Sequence, residues 1–274
     1  MSSTEIYYFS GTGNSLHVAK ELQERIEGAK LIPVISLLDR EIVETDAETI
    51  GFVFPVYFSA IPVPVKNFIK KLDLKSAKYI FAAATRIGTS HSAFVTIDKI
   101  LKSKGQRLDS YFSLNMPGND PKFDYKVPTD EEIARLEAVV QKRLDAIQSI
   151  IKNKETSREK DVDCTTHIPF VGLLSSLAAL IDRYKDNLYC DSKCTGCGIC
   201  EKVCLAHKIK IVDGKPEWQD NVKCYHCAAC LNYCPAQSAQ IKSYTEKNGR
   251  YSHPYAAAED IAMQKNFERR GVLL

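Results

Sequence analysis

The sequence predicts an α/β protein with a doubly wound, five-stranded parallel sheet, followed by a small α+β domain rich in cysteine. Apolar runs of strand length alternate with amphipathic helical segments through the first 150 residues, as in doubly wound folds. Eight of the ten cysteines fall between Cys194 and Cys234. A chain of 274 residues most simply forms two domains. We place the sheet domain at 1–155, a linker with a connecting helix at 156–187, the cysteine domain at 188–245 and a C-terminal extension at 246–274.

Each predicted strand is a short apolar run, typical of parallel strands that are buried on both faces. These runs span 5–9, 30–35, 49–54, 78–84 and 108–115. The predicted helices have apolar residues on one face and span 16–26, 63–72, 92–103 and 130–151. The last helix is the clearest, because Thr129 and Glu132 form a capping box at its start. A connecting helix is expected over 168–188.

The loop between the first strand and the first helix has the composition of a phosphate-binding loop. It consists of Ser10, Gly11, Thr12, Gly13, Asn14 and Ser15. Backbone amides and hydroxyls at a helix N-terminus can converge on a phosphate group. A dinucleotide fingerprint would need a glycine where Leu16 stands, and a Walker loop would need a lysine that is absent here. The alternative is an ordinary glycine-rich turn without a ligand.

Three further loops follow the third, fourth and fifth strands. Ligands of doubly wound folds bind beyond the carboxyl ends of the strands, so we expect these loops to surround the same ligand. The candidate residues are Pro55, Val56, Tyr57 and Phe58 after the third strand, Thr85, Arg86 and Gly88 after the fourth, and Gly118 and Asn119 after the fifth. Tyr57 could stack on an aromatic ligand, or it could be a core aromatic residue. Arg86 could equally face solvent.

The cysteines form two runs with identical spacing, C-x-x-C-x-x-C-x-x-x-C. The first run is Cys194, Cys197, Cys200 and Cys204, and the second is Cys224, Cys227, Cys230 and Cys234. In two-cluster ferredoxins the fourth cysteine of each run ligates the other cluster. The pattern therefore predicts two 4Fe-4S clusters, the first held by Cys194, Cys197, Cys200 and Cys234, and the second by Cys224, Cys227, Cys230 and Cys204. Zinc sites and a disulfide framework are the alternatives, and neither is typical of this spacing. Cys164 and Cys190 are assigned to neither cluster.

The loop from Ser10 to Ser15 resembles the FMN-phosphate loop of flavodoxins at every specified position. Together with the cysteine runs, it makes the chain similar to the flavodoxin/ferredoxin fusion proteins of anaerobic bacteria and archaea. The shorter segments 55–57, 116–119 and 249–254 share in this resemblance, although Leu205 and Asp120 depart from the usual pattern. The resemblance implies a flavodoxin-like FMN domain joined to a ferredoxin-like domain.

The function implied is an electron relay within one chain between FMN and two 4Fe-4S clusters, with redox partner proteins as donor and acceptor. The alternative is an FMN- and iron-sulfur-dependent oxidoreductase that acts on a small molecule or quinone. The sequence shows no paired-carboxylate or Ser/His/Asp motif, which favours an electron carrier over a substrate-specific enzyme.

Composition excludes some other classes. The net charge of +3 and the 26% of charged residues give no field that would favour nucleic acid. The N-terminus lacks the basic and apolar pattern of a signal segment. The longest apolar stretch, 168–181, is too short to span a bilayer. We therefore expect a cytoplasmic protein without a membrane span.

Overall fold

The computed structural model describes residues 3–87, 90–121, 126–158, 188–242 and 245–266. In the sheet domain, five parallel strands lie in the order β2-β1-β3-β4-β5. They are β1 (Thr4–Tyr8), β2 (Ala29–Pro33), β3 (Thr49–Pro55), β4 (Tyr79–Arg86) and β5 (Ser110–Asn115). This is the flavodoxin-like order, in which successive strands are added on one side of β1 and then, from β3 onward, on its other side. The predicted fold class of this domain is confirmed.

Four helices cover the sheet. They are α1 (Asn14–Arg25), α2 (Val63–Lys71), α3 (His91–Lys102) and α4 (Asp130–Lys152). Helix α1 packs against α4, and α2 packs against α3. The predicted capping box of α4 is present, because Thr129 Oγ1 accepts a bond from the Glu132 amide and Glu132 accepts one from the Thr129 amide.

The central strands explain why the sequence predicts this domain well. Every residue of β3 and β4 is buried, and Phe52, Phe54 and Phe81 have no exposed surface. Parallel strands covered on both faces must be continuously apolar, so they are visible as unbroken runs. At their carboxyl ends Pro55 pairs with Thr85, and Arg86 pairs with Asn115. The register therefore places the predicted loops side by side.

The cysteine domain is a small α+β unit, as predicted. Its strands form two antiparallel pairs, β6 (Leu188–Cys190) with β9 (Ala239–Ile241), and β7 (Ile209–Val212) with β8 (Lys215–Trp218). Short helices at Ile199–Val203 and Ala229–Asn232 contain the third cysteine of each run. The expected connecting helix and Cys164 fall in 159–187, outside the described residues. Its last predicted residue, Leu188, is instead the first residue of β6, because its backbone pairs with Ile241; that part of the prediction is wrong.

The C-terminal extension returns to the sheet domain. Its helix, Ala258–Met263, packs against the short helix Ile199–Val203 of the cysteine domain. Beyond this helix the fully buried Gln264 bonds to the backbone of Ser10. The extension thus bridges the two domains. None of the helices within the described ranges combines the length and apolar character needed to cross a membrane.

Candidate functional site

A cavity of about 230 Å³ lies at the carboxyl ends of the sheet strands, where the two domains meet. Nine residues predicted as ligand-binding line it, namely Asn14, Pro55, Val56, Tyr57, Phe58, Thr85, Arg86, Gly118 and Asn119. The opposite wall comes from the cysteine domain and consists of His226, Cys227 and Ala228. The predicted Gly88 lies outside the described residues. A cysteine of the second run is therefore part of the cavity wall.

The aromatic side of the cavity is held by a tight turn. The amides and carbonyls of Tyr57 and Ala60 bond reciprocally, at 2.8 and 3.0 Å. Phe58 and Ser59, between them, both have left-handed backbone angles, with φ of 50° and 61°. Left-handed residues other than glycine are uncommon and cost about 1–2 kcal/mol each, and such strain is concentrated at functional sites. Phe58 remains 46% exposed and meets the His226 ring edge-on at 6.3 Å.

The polar side of the cavity is formed by the loops after β4 and β5. Arg86 is buried, and its carbonyl accepts a bond from the Met116 amide. The Asn14 side chain donates to the Pro117 carbonyl at 2.9 Å, and the Asn119 side chain donates to the Thr12 hydroxyl. These bonds fix the loop after β5 to the start of α1. The site thus combines an aromatic wall, a buried guanidinium group and amide groups.

The loop from Ser10 to Ser15 lies behind this cavity and is completely buried. Only Asn14 of its six residues lines the cavity; Ser10, Gly11, Thr12, Gly13 and Ser15 do not. Ser15 bonds to the Thr85 hydroxyl at 2.7 Å, and the Gly13 amide donates to the Ser10 hydroxyl.

The C-terminal extension covers this loop. The His253 amide donates to the Thr12 carbonyl at 2.8 Å, and Tyr251 donates to the Asn14 side chain. Gln264 bonds to both the amide and the carbonyl of Ser10. A ligand group in this loop would therefore be shielded from bulk water by the extension.

The first predicted set of cysteines surrounds a small cavity of about 20 Å³ in the cysteine domain. Its walls include Cys194, Cys197, Cys200 and Cys234. Three come from the first run and one from the second, which is the crossed arrangement that the spacing predicts. Cys197 is exposed, so this set reaches the protein surface. Burial raises the pKa of the Cys200 thiol to about 11.

The second predicted set lies deeper and next to the domain junction. Burial, and to a smaller degree nearby Cys224 and Cys204, raise the pKa of Cys227 to about 12. The pKa of Cys230 is also raised, mainly by burial and to a smaller degree by the nearby thiols of Cys224, Cys227 and Cys204. Thiolates crowded together in a buried site need a cationic partner. The donor set therefore fits iron-sulfur ligation, in which the cysteines bind as thiolates.

The two runs have the same local backbone geometry. Left-handed angles occur at the same positions in each, namely Gly196 and His226, Gly198 and Ala228, and His207 and Gln237. The amides of Lys208 and Ser238 donate to Cys204 Sγ and Cys234 Sγ, each at 3.3 Å. Hydrogen bonds to the sulfurs are one of the factors that set cluster potentials.

The two domains approach each other closely at Gly11. A Cβ at this position would stand 2.8 Å from Cys227 Cβ and 2.8 Å from the Tyr57 hydroxyl, and closer still to the Cys227 carbonyl. Phe9 packs edge-on against Tyr57 and Tyr225, with ring centroids at 6.3 and 6.4 Å. Gly11 therefore lets the second cysteine run pack directly on the phosphate-loop candidate.

A cluster of His17, Glu137 and His253 lies on the other side of the loop, with its ligand atoms within 4.8 Å of one another. The two rings are stacked at 4.3 Å, so their in-plane lone pairs do not converge. His17 Nε2 is bonded to Glu137 at 2.9 Å, and His253 Nδ1 accepts the Tyr255 amide. These contacts make the cluster an anchor for the C-terminal extension.

Several residues of the site were not predicted from sequence. The Asn232 side chain donates to the Asn119 carbonyl at 2.8 Å and accepts the Tyr251 amide at 3.0 Å. It thus connects the loop after β5, the cysteine domain and the extension. Asn232, like Gln264, stands alone in sequence and belongs to no recognisable motif, so only its contacts indicate a role.

Among known protein families, one model matches the cysteine-rich part of the chain. Residues 193–239 match the model of the 4Fe-4S dicluster domain family. No curated protein matches the sequence significantly.

Similar solved structures include a flavodoxin of Megasphaera elsdenii, 18% identical over 51% of this chain and 98% of its own, with a TM-score of 0.33. Rubredoxin oxygen:oxidoreductase of Desulfovibrio gigas is 14% identical over 56% of this chain and 37% of its own, at 0.34. An FMN-dependent NADH-azoreductase of Bacillus anthracis is 11% identical over 54% of this chain and 100% of its own, at 0.36. The strand order and the dicluster match together show a flavodoxin-like domain joined to a ferredoxin-like iron-sulfur domain.

Proposed function

We propose that this chain is an electron-transfer protein that relays electrons between FMN in the sheet domain and two 4Fe-4S clusters in the cysteine domain. The observation that carries the proposal is the shared cavity wall, in which Cys227 faces the same space as Tyr57 and Arg86. A flavin in that space would contact a cysteine of the second set, which would hold the second cluster.

The residues present fit an FMN group. Tyr57 and Phe58 offer aromatic faces to a planar ring, and Arg86 offers a buried positive charge. The loop from Ser10 to Ser15 adjoins the cavity at Asn14 and would hold the phosphate with its helix N-terminal amides. Bound FMN would exchange one or two electrons and the clusters one at a time.

The chain's own residues keep this exchange internal. The extension covers the phosphate loop through His253 and Gln264, and the cysteine domain closes the cavity on one side. The second cysteine set lies at the junction, while the first reaches the surface at Cys197. We therefore infer an order of flavin, second cluster, first cluster and external redox partner protein.

The alternative is an FMN- and iron-sulfur-dependent oxidoreductase that acts on a small molecule or quinone. Turnover of a quinone or other small substrate at a rate matching internal electron exchange would favour the enzyme instead.

The first experiment is anaerobic purification with quantitation of iron, sulfide and flavin on one sample. We expect about eight irons and one FMN per chain, the content of two cubane clusters and one flavin. Cys227→Ser should lose iron, while Cys190→Ser, at a position outside both sets, should retain it. Rapid mixing with a reductant should then show flavin and clusters equilibrating within one molecule. Full iron without flavin would contradict the relay.

A further inference from the structure

The Tyr57 hydroxyl is buried and has no hydrogen-bond partner among the described residues. Buried polar groups in native proteins are nearly always hydrogen-bonded, and one left unsatisfied is costly. Its hydrogen bond is therefore available to a group that binds at the site. The proposed groups nearby are a flavin in the cavity and a cluster on the second cysteine set.

The position of the hydroxyl distinguishes between these two. Tyr57 as a residue is only partly buried and lines the cavity, but its hydroxyl is sealed from solvent. The hydroxyl lies against the face of Gly11 on which Cys227 Cβ also lies, each 2.8 Å from where a Cβ would stand. The ring is thus directed to the cavity and the hydroxyl to the second cysteine set.

The chemistry of the hydroxyl agrees with this placement. A tyrosine hydroxyl is protonated at neutral pH, so toward a negatively charged cluster it acts as the hydrogen-bond donor. Phe9 packs edge-on against the ring and holds it in position.

We propose that Tyr57 is a positioning residue whose hydroxyl donates a hydrogen bond to the sulfur of the second cluster, while its ring forms the wall of the flavin cavity. Such a bond stabilises the more negative, reduced cluster and raises its reduction potential. Tyr57 would then make the second cluster a better acceptor for electrons leaving the flavin. This inference rests on the proposed cluster at Cys204, Cys224, Cys227 and Cys230.

The test is a redox titration of the purified holoprotein, followed by electron paramagnetic resonance, with Tyr57→Phe compared to wild type. The substitution keeps the ring and its contact with Phe9 and removes only the hydroxyl. We expect the reduced-to-oxidised ratio of one cluster to fall about tenfold at fixed ambient potential, which equals 59 mV for a one-electron couple. The other cluster should be unchanged.

Tyr79→Phe is the matched control. It also removes a buried hydroxyl, which donates to the Glu155 carbonyl far from the cysteines, at the start of β4. It should shift neither cluster. A second readout is resonance Raman spectroscopy, where deuterium exchange should shift the iron-sulfur bands more in wild type than in Tyr57→Phe, which keeps only the amide bonds to the cysteine sulfurs.

The outcomes separate this inference from the proposed function. If the wild-type protein does not contain about eight irons per chain, the proposed function itself is contradicted. If both clusters are present and neither potential changes in Tyr57→Phe, the hydrogen bond is absent and the inference is overturned. A change confined to the flavin, or an equal change in both clusters, also overturns it.

Discussion

Gly11 is the residue at which the packing of the two domains can be tested most directly. In Gly11→Ala the new methyl group would stand 2.8 Å from Cys227 Cβ and the Tyr57 hydroxyl. The carbon pair is about 0.7 Å short of the optimal separation of 3.5 Å. The methyl would also meet the Cys227 backbone carbonyl, which cannot move by a simple rotamer change. The cysteine run must therefore shift away from the loop.

Overpacking of this kind usually costs about 1–3 kcal/mol. We expect Gly11→Ala to keep the sheet domain folded, to lose iron faster on exposure to a chelator, and to slow electron exchange between flavin and clusters. Chelator-induced bleaching and rapid-mixing spectroscopy under anaerobic conditions measure the two effects. Both follow from a shift of Cys227, which belongs to the cavity wall and to the second cysteine set.

The matched control is Gly28→Ala. Gly28 has φ of 73° and nothing within 4 Å of an added Cβ, so an alanine there is strained but meets no neighbour. It should destabilise the protein by about 1–2 kcal/mol and leave electron exchange unchanged. The reasoning would be refuted if Gly11→Ala exchanged electrons at the wild-type rate with full iron, or if Gly28→Ala slowed exchange to the same degree.

Three other predictions concern the extension and the cysteine turns. Gln264→Leu removes both bonds to Ser10 and leaves buried backbone groups unpaired, at about 1–3 kcal/mol each. Amide hydrogen exchange in the loop from Ser10 to Ser15 should therefore become faster. An unchanged exchange rate would contradict the role of Gln264 in holding this loop. Ala228→Gly removes the strain of a left-handed alanine with φ of 55° and should slow cluster loss. Ala229→Gly, in a short helix, should speed cluster loss. If both variants changed the rate of cluster loss in the same direction, the strain argument would be contradicted. Burial, and to a smaller degree neighbouring His17, lower the pKa of His253 to about 4 from the usual 6.5, so the folded state binds fewer protons than the unfolded state. The contribution of neutral His253 to the free energy of unfolding is present above pH 6.5 and is lost, by up to about 3 kcal/mol, as the pH falls toward 4. His253→Phe should therefore flatten the pH dependence of proteolytic release of the extension. An equally steep profile would argue against this role of His253.

Much of the fold was predictable from local patterns. All five strands and four helices of the sheet domain lie within a few residues of their predicted positions. Buried parallel strands are apolar throughout, and the capping box at Thr129 requires only residues close in sequence. The prediction of a helix as far as Leu188 was wrong because the structure there depends on a residue distant in sequence. A strand of three residues exists because it pairs with Ile241, and its own sequence continues the apolar pattern of a helix.

The cysteine spacing determined more than local structure. A short helix contains the third cysteine of each run, and the fourth cysteine lies just beyond it, where it belongs to the other predicted set. The cavity lined by Cys194, Cys197, Cys200 and Cys234 has this crossed composition. The spacing indicates it through the rule for two-cluster ferredoxins, in which the fourth cysteine of each run ligates the other cluster.

The sequence by itself thus determined the two kinds of domain, the candidate ligand loops and the grouping of the cysteines. Only the tertiary structure decided how the domains meet. It placed Cys227 in the wall of the cavity, seated the Tyr57 hydroxyl beside Gly11, and covered Ser10 with Gln264, which is 254 residues away in sequence. Contacts over such distances leave no periodicity or motif in the chain, because any residue of suitable size and polarity can make them. They arise when the packed surfaces of both domains come together.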